Sequence, residues 1–427
     1  MTLSRRKITF IGVVLLVAII VTGLFIIGKR REDPGATGTI KIWGVFDGIE
    51  IFRPLIGEFQ KSKPGVNVEY TKINPDTYEQ DLINGLATAQ GPDLFMFHNS
   101  WLPKHFDKLL PLSESELPIV TFRKLFPSIV EQDFAPDGVI YALPLYIDTL
   151  AMFYNKDILD TKGIALPPKT WAEFQNLVPK LRELDRSGKV LTAGAAIGGS
   201  ERSINRATDI LNLLMLQSGA PMVKSDFTAA EFSQKGLQSL NFYTQFASPA
   251  SPYYTWNDSL PYSIDHFIEG NAAIMFNYSH QIPIIKSKNP FLEFAVAPML
   301  QPKEAQNTIN WANYWGMAVS AKTPKSKAAW SFIQWLTTNE QPALQYLKAT
   351  KRPPALRSLM DNFATNPDLS VFSAQTLTAR SWPQIDNVVV EKSFSTMIEN
   401  IIAGKMTANK AVLQSEQEIT QLMLRRK

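Results

Sequence analysis

The sequence predicts an α/β fold preceded by one membrane-spanning helix at the N-terminus. Three observations support this prediction. Strand patterns alternate with helix patterns over residues 39–98, a run of 20 residues near the N-terminus carries no charge, and 427 residues are too many for one ordinary domain. Alternating strands and helices are typical of a sheet with parallel strands, so a chain of this length is expected to hold two such units.

The uncharged run extends from Ile8 to Ile27, with only Thr and Gly among its apolar residues. It is long enough to cross a bilayer as a helix. Three cations flank it on each side, so charge does not assign an orientation. A cleaved signal peptide is the alternative, but such peptides have shorter cores that end in a small-x-small site, whereas this run ends in Phe25-Ile26-Ile27. We therefore predict that residues 1–31 form an uncleaved membrane anchor.

Composition excludes several classes of function. The first 33 residues hold six Lys or Arg and two Asp or Glu, so the rest of the chain, with 37 of each sign, has no net charge. No basic surface for nucleic acid is therefore predicted. The chain has no cysteine, which excludes disulfides, thiolate metal sites, a cysteine nucleophile and a lipid attached to cysteine. Its 45% hydrophobic and 19% charged residues are typical of a globular protein.

The first unit follows a polar linker at residues 32–38. Residues 39–48 alternate apolar and polar side chains and stop at an Asp-Gly turn, which predicts a strand. Further predicted elements are a helix at 49–61, a strand at 66–73, a helix with Asp76 as its N-cap, and a strand within GPDLFMFH at 91–98. Ligands of such sheets lie beyond the carboxyl ends of the strands, so the polar residues after 98 are expected to line a cleft.

The second unit begins near Asp148. Thr170 and Glu173 form a capping-box pattern that opens a helix extending to about Leu184. The later patterns predict helices at Arg206–Gln217, Ala229–Phe246, Ala328–Thr338, Glu391–Ile402 and Asn409–Leu424, and strands at Ala272–Phe276, Phe294–Ala297 and Trp311–Ser320.

Aromatic residues recur at the ends of these elements, next to short polar side chains. Core packing explains any one of them, but the set favours a carbohydrate site, because rings stack on the C–H face of a sugar while carboxylates and amides bind its hydroxyls. The aromatic members are Trp43, Trp101, Tyr146, Tyr278 and Trp315, and the polar neighbours include Asp47, Asn99, Ser100 and Asp148.

Motifs of catalysis and cofactor binding are absent from the sequence. It has no P-loop, no G-x-G-x-x-G, no G-x-S-x-G and no H-E-x-x-H. His98 and His105 could pair over a metal ion, but no carboxylate stands at ligand spacing. We therefore predict neither a cofactor nor a metal site.

Four segments resemble one protein family in order and spacing. They are KIWGVFDG at 41–48, GPDLFMFHNSW at 91–101, IYALPLYIDTLAMFYNKDIL at 140–159 and PPKTWAEF at 167–174. Each is similar to a segment of the family 1 extracellular solute-binding proteins of ABC importers, maltose- and other sugar-binding proteins among them. The resemblance extends from about Thr39 to the C-terminus.

The resemblance implies a type II periplasmic-binding-protein-like fold, in which two lobes close on ligand about a hinge. It places one lobe at 39–147 plus 298–345 and the other at 148–297 plus 346–427, with the ligand in the cleft between them. The family's usual lipid-bearing cysteine is missing, so lipoprotein anchoring does not carry over. The positions where the family contacts ligand correspond to Trp43, Asp47, Ser100, Asp148 and Tyr278, and chemistry adds Asn99, Trp101, Tyr146 and Trp315.

We therefore predict a binding protein that is held by its N-terminal helix at the extracytoplasmic face of a bacterial cell membrane. It would capture a mono- or oligosaccharide and deliver it to an ABC permease without chemistry. Two alternatives stay open. A cell-surface glycosidase would use a carboxylate pair, which scattered Asp and Glu do not exclude. A sugar sensor or adhesin would use the same fold to signal a ligand-bound state.

Overall fold

The computed structural model describes residues 35–88 and 90–425. The predicted membrane helix at 8–27 lies outside these residues. Within the described ranges, no helix combines the length and the apolar character needed to cross a bilayer.

Thirteen strand segments are present in the described part of the chain, and they define three larger sheets and a small hairpin. They are β1 (Gly38–Gly44), β2 (Val66–Lys72), β3 (Leu94–His98), β4 (Ala142–Pro144), β5 (Asp148–Thr149), β6 (Ala151–Asn155), β7 (Glu183–Leu184), β8 (Val190–Thr192), β9 (Ile274–Asn277), β10 (Phe294–Ala297), β11 (Asn310–Asn313), β12 (Trp315–Val319) and β13 (Ala379–Arg380).

The helices lie between these strands and after the last of them. They are α1 (Ile49–Ser62), α2 (Tyr78–Ala87), α3 (Leu102–His105), α4 (Ile119–Leu125), α5 (Ser128–Phe134), α6 (Lys156–Thr161), α7 (Trp171–Leu181), α8 (Ala207–Gln217), α9 (Ser233–Thr244), α10 (Ser263–Ile268), α11 (Gln281–Lys288), α12 (Ser326–Thr338), α13 (Glu340–Thr350), α14 (Met360–Phe363), α15 (Ser370–Gln375), α16 (Asn387–Ile402) and α17 (Ala408–Arg425).

The first unit is built on a five-stranded sheet with the order β2-β1-β3-β12-β4. Strand β1 runs parallel to β2 and β3, whereas β12 pairs antiparallel with β3 and β4. Helices α1 and α12 cover this sheet, and α13 packs on α1. The alternating apolar residues of β1 and the apolar run of β3 are buried, which explains why both patterns formed strands.

The second unit is built on an antiparallel sheet with the order β10-β6-β9, against which α6 and α10 pack. Helices α8, α9, α16 and α17 pack against one another beside it. This unit therefore combines a sheet from the middle of the chain with two helices from its C-terminal end.

A third sheet, β13-β11-β5, lies where the chain crosses between the units. Strand β5 is separated from β6 by one residue, and β11 is separated from β12 by Tyr314 alone. The chain therefore passes between the two larger sheets at 148–151 and again at 313–315. Its last passage follows β13 and leads into α16.

Local predictions were largely confirmed, with four corrections. The helix predicted from Ala229 begins only at Ser233, because Ala230 pairs with Val223 in a β-bridge. The single strand predicted at 311–320 is wrong, because it breaks at Tyr314, whose buried hydroxyl donates to Asp133 at 2.9 Å. Asp76 is not an N-cap, since α2 begins after Thr77. The helix opened by the capping box ends at Leu181, before Leu184. The capping box itself is confirmed, because the side chain of its Thr accepts a hydrogen bond from the main-chain N–H three residues on at 3.2 Å.

Candidate functional site

A cavity of about 510 Å³ lies between the two units. This volume is within the usual range for small-molecule sites. The first unit contributes the residues that follow β1, β2 and β3 and the first residue of β12. The second unit contributes the start of α8 and the segment from Ser381 into α16, and β11 lines the crossing. The residues after β3 therefore do line a cleft, as their position at the carboxyl end of a buried strand predicts.

The wall from the first unit is aromatic. The ring of Trp315 lies 5.1 Å from those of Trp101 and His98, each in an edge-on arrangement. Phe46 contacts the same indole edge-on at 5.3 Å, and Tyr78 stacks on Trp101 at 6.0 Å. These contacts fix the rings in orientation, so the wall is rigid before any ligand arrives.

His98 is an uncharged member of this wall. Its Nε2 lies 3.1 Å from the amide oxygen of Asn313, and its Nδ1 lies 2.7 Å from the hydroxyl of Ser100. Because an amide oxygen only accepts, Nε2 carries the hydrogen and the Ser100 hydroxyl donates to Nδ1. Burial lowers the pKa of His98 to about 4, so the ring is neutral at physiological pH.

The wall from the second unit is charged. Arg206 lies with its guanidinium 5.4 Å from the ring centroid of Tyr278, and the Tyr278 hydroxyl donates to Asp209 at 2.7 Å. Removal from water, and then the charges of Asp209 and Glu201, raise the pKa of Glu391 to about 7. Carboxyl and guanidinium groups thus face the aromatic wall across the cavity.

The segment at 381–386, which we call the strap, contacts both units. At one end, the Ser381 hydroxyl accepts a hydrogen bond from Gln132 at 2.9 Å. At the other end, Asp386 pairs with Lys104 at 3.0 Å. Between them, the indole N–H of Trp382 donates to Asn212 of α8 at 2.8 Å. The strap therefore links the first unit to the second along one side of the cavity.

Four of the nine predicted ligand residues line the cavity, namely Asn99, Ser100, Trp101 and Trp315. Ser100, Trp101 and Trp315 belong to the aromatic wall and its hydrogen-bonded rim. Asn99 lies beneath them, where its amide donates to Asp133 at 3.0 Å. The pattern of polar and aromatic residues after β3 therefore located part of the cavity correctly.

Asp47 and Tyr146 lie outside the lining, in a buried cluster around Arg352. The Asp47 carboxylate accepts a hydrogen bond from Tyr346 at 2.7 Å and pairs with Arg352 at 3.2 Å. The guanidinium of Arg352 lies 4.4 Å from the Tyr146 ring centroid. This cluster joins the turn after β1, the start of the crossing and the end of α13.

Asp148, Tyr278 and Trp43 also lie outside the lining. Asp148 accepts hydrogen bonds from the Ser279 hydroxyl at 2.7 Å and from the Thr149 main-chain N–H at 2.9 Å. Tyr278 lies behind two residues of the lining, Asp209, which accepts from its hydroxyl, and Arg206, which lies over its ring. Trp43 packs beneath α2, where its main-chain oxygen accepts from the Tyr78 hydroxyl at 3.2 Å.

The sequence interpretation missed the whole charged wall. Arg206, Asp209 and Asn212 stand at the start of a helix that was predicted correctly, but no local pattern distinguishes them from other polar residues. Trp382 and Glu391 come from a segment of irregular structure and the helix after it. Trp311 lies in WANYWG, and Trp315 of the same segment was predicted as the ligand residue instead.

Comparisons with known proteins all find similarity to solute-binding proteins. The model of a family described as bacterial extracellular solute-binding protein matches residues 47–342. A maltotriose-binding protein of Pyrococcus abyssi is 25% identical over 320 residues, which span 73% of this chain and 65% of that protein. A mannitol-binding protein of Pseudomonas aeruginosa is 22% identical over 289 residues, or 66% of this chain and 64% of that protein.

Solved structures agree with the architecture. The sugar-binding protein MalE from Xanthomonas citri superposes with a TM-score of 0.77 at 20% identity, covering 91% of this chain and 98% of that one. A cyclic alpha-maltosyl-1,6-maltose binding protein from Arthrobacter globiformis gives 0.75 at 19% identity, covering 91% and 99%. At such identities the likeness concerns the fold, and it confirms the predicted two-lobed, periplasmic-binding-protein-like α/β architecture.

Proposed function

The chain belongs to the bacterial extracellular solute-binding protein family, and from this premise we propose that it captures a carbohydrate between its two units and delivers it to an ABC permease. The family match confirms the resemblance seen in the sequence. One observation carries the proposal of a sugar ligand: the cavity joins a rigid aromatic wall of one unit to a hydrogen-bonding, charged wall of the other. Relatives that bind maltotriose, mannitol and other sugars support it.

The polar groups of the cavity suit hydroxyl-rich ligands. The Nε–H of Arg206 and the amide oxygen of Asn387 are both buried, and neither has a hydrogen-bond partner among the described residues. An unpaired buried polar group is costly, and a sugar hydroxyl can serve either a donor or an acceptor. A ligand that turns these side chains toward the cavity would therefore satisfy groups that the protein leaves unpaired.

We propose that Ser100, Trp101 and Trp315 contact the ligand directly and that Asn99 supports them. The hydroxyl of Ser100 donates to His98, which leaves its lone pairs free to accept from the ligand. Trp43, Asp47, Tyr146, Asp148 and Tyr278 stay predictions as ligand contacts. Their contacts favour a role in holding the two walls and the crossing in position.

We propose that the two units are the lobes of a hinge-closing protein, with the β13-β11-β5 sheet at the crossing. The division into 39–147 plus 298–345 and 148–297 plus 346–427 stays a prediction. The contacts of the strap would form and break as the lobes move, because its ends bond to the first unit and its middle to the second.

We propose that the protein binds and releases its ligand without chemistry, since the relatives named above are binding proteins. A glycosidase would need an acid and a second carboxylate across one sugar bond. Incubation of the full-length chain with oligosaccharides, followed by an assay of new reducing ends, separates the two functions. Reducing ends that accumulate with time would refute the binding-only proposal.

We propose an extracytoplasmic location, which the family supports, with residues 1–31 as the anchor. Membranes from cells that express the full chain should retain it after extraction with high salt or carbonate. A mature N-terminus near Thr37 in the soluble fraction would instead show that the segment is a cleaved signal.

The ligand proposal is tested by thermal denaturation of the full-length chain in detergent with a panel of mono- and oligosaccharides. A specific ligand at 100 times its dissociation constant should raise the free energy of unfolding by about 2.7 kcal/mol. Stabilisation by amino acids or polyamines with none by any carbohydrate would refute the proposal.

A further inference from the structure

A second cavity of about 730 Å³ adjoins the first. Asn99, Ser100 and Trp382 line both, so the two share a boundary. The rest of its wall again comes from both units: residues 102–106 and 132–141 of the first, and residues 223–227 and 423 of the second. The cleft between the units is therefore larger than the cavity that holds the aromatic and charged walls.

The second cavity is mostly apolar, and it presents two phenylalanine rings from opposite units. Phe106 follows α3 and is 59% exposed, which is unusual for so large an apolar side chain. Phe227 belongs to the loop at 223–230 of the second unit and is partly buried. Lys224 and Asp137, one charge of each sign, lie at this cavity, and Asp133 adds a buried carboxyl group whose oxygens accept hydrogen bonds from Asn99 and Tyr314.

Backbone strain is concentrated at the two cavities. Among the described residues, four that are not glycine have positive φ, and three of these line one cavity or the other. Asp137 at 56° and Phe227 at 54° line the second cavity, and Arg206 at 68° lines the first. Such conformations cost about 1–3 kcal/mol each and persist at sites where function requires a particular orientation.

The strain at Phe227 is imposed by the loop around it. The main-chain N–H of Phe227 donates to the Lys224 carbonyl at 2.9 Å, and that of Lys224 donates to the Ala229 carbonyl at 2.9 Å. The loop is also tied to α17, because the N–H of Ala230 donates to the Thr420 hydroxyl at 3.1 Å. The phenylalanine is therefore held at the cavity wall by a fixed backbone.

We propose that the second cavity is a subsite for the far end of a carbohydrate chain that leaves the first cavity past Ser100 and Trp382. The ligand is then an oligosaccharide longer than the first cavity can hold, and Phe106 and Phe227 are its stacking surfaces. The inference rests on the proposed function, since it extends the same ligand.

Three features favour this occupant. The three shared lining residues place the second cavity directly beside the first. Phenyl rings suit the C–H face of a neutral sugar. The carboxylate of Asp133 is occupied by hydrogen bonds from Asn99 and Tyr314, so it offers no site for a cation.

The test uses the full-length chain in detergent and isothermal titration with maltose-, mannose- and arabinose-based chains of two to six units. The affinity of the unaltered protein should rise with chain length until both cavities are filled. Phe227→Ala and, independently, Phe106→Ala should weaken binding of the longest ligand at least tenfold and change that of the disaccharide less than twofold. Phe291→Ala is the matched control, because Phe291 is 90% exposed and lies at neither cavity.

The outcomes separate the two proposals. If sugars bind but their affinity does not depend on length, or if both phenylalanine variants affect the disaccharide as much as the hexasaccharide, the subsite is refuted and the proposed function stands. If no sugar of any length binds the unaltered protein, both are refuted. Phe106→Ala keeps the test valid if Phe227→Ala does not fold, since a side chain so exposed contributes little to the core.

Discussion

Replacing Asp148 with alanine tests whether this carboxylate serves the ligand or the fold. Asp148 is 3% exposed, and its oxygens accept hydrogen bonds from the Ser279 hydroxyl, the Ser279 main-chain N–H at 3.1 Å and the Thr149 N–H. The substitution leaves two main-chain donors buried without acceptors. Each costs about 1–3 kcal/mol, so we expect a loss of roughly 2–6 kcal/mol in the free energy of unfolding.

The expected loss converts to a shift in melting temperature. An unfolding entropy of about 2.1 cal/mol/K per residue amounts to about 0.9 kcal/mol/K for 427 residues. Thermal denaturation of the ligand-free protein at pH 7.5 should therefore show a decrease of about 2–7 °C in the melting temperature. Asp148→Asn is the control, because its amide oxygen can still accept from Thr149 and its amide nitrogen can donate to the Ser279 hydroxyl, so its loss should be about 1 kcal/mol.

The opposite result would refute this reasoning. If Asp148→Ala melts within 1 °C of the unaltered protein while its affinity for sugar falls tenfold, the carboxylate is a ligand contact, as the family resemblance implies. Its hydrogen bonds to Ser279 would then be an arrangement that the ligand replaces.

Three further predictions follow from separate parts of the structure. Gly316→Ala should destabilise the protein by about 3 kcal/mol in urea denaturation, because a Cβ there overlaps a carbonyl oxygen of β4. Gly57→Ala is the control, because its Cβ meets open space and the substitution should stabilise by about 0.5–1 kcal/mol. Burial raises the pKa of Asp133 from 3.8 to about 6. Its contribution to the free energy of unfolding should therefore be largest below about pH 4 and be lost as the pH rises through 6, and Asp133→Asn should remove this pH dependence. Trp315→Ala should weaken sugar binding about tenfold in titration calorimetry, and Trp335→Ala, on the outer helix α12, should not.

Local patterns predicted the parts of the fold that depend on nearby residues. The alternation of β1 and the apolar run of β3 each bury a face against neighbouring elements, so their spacing alone indicated strands. The position of Ser100 and Trp101 after β3 indicated a cleft, since ligands of such sheets bind beyond the carboxyl ends of the strands.

The remaining site could not be predicted because its members meet only through the tertiary structure. Arg352 lies 305 residues after Asp47, and their pairing withdraws that carboxylate from the cavity lining. Trp382 and Asn212, 170 residues apart, form a hydrogen bond beside the cavity. No spacing rule connects such residues, whereas the helices that carry them were found from periodicity.

The position of β12 between β3 and β4 determines the order in which the protein can fold. Its partners are complete at residue 144, but the strand that joins them begins at residue 315. The second unit has the same dependence on late residues, because α16 and α17 complete its helical layer. A chain under synthesis therefore exposes two unfinished apolar cores until its last quarter has emerged. Such long-range pairing slows folding, and chains truncated near residue 300 should aggregate.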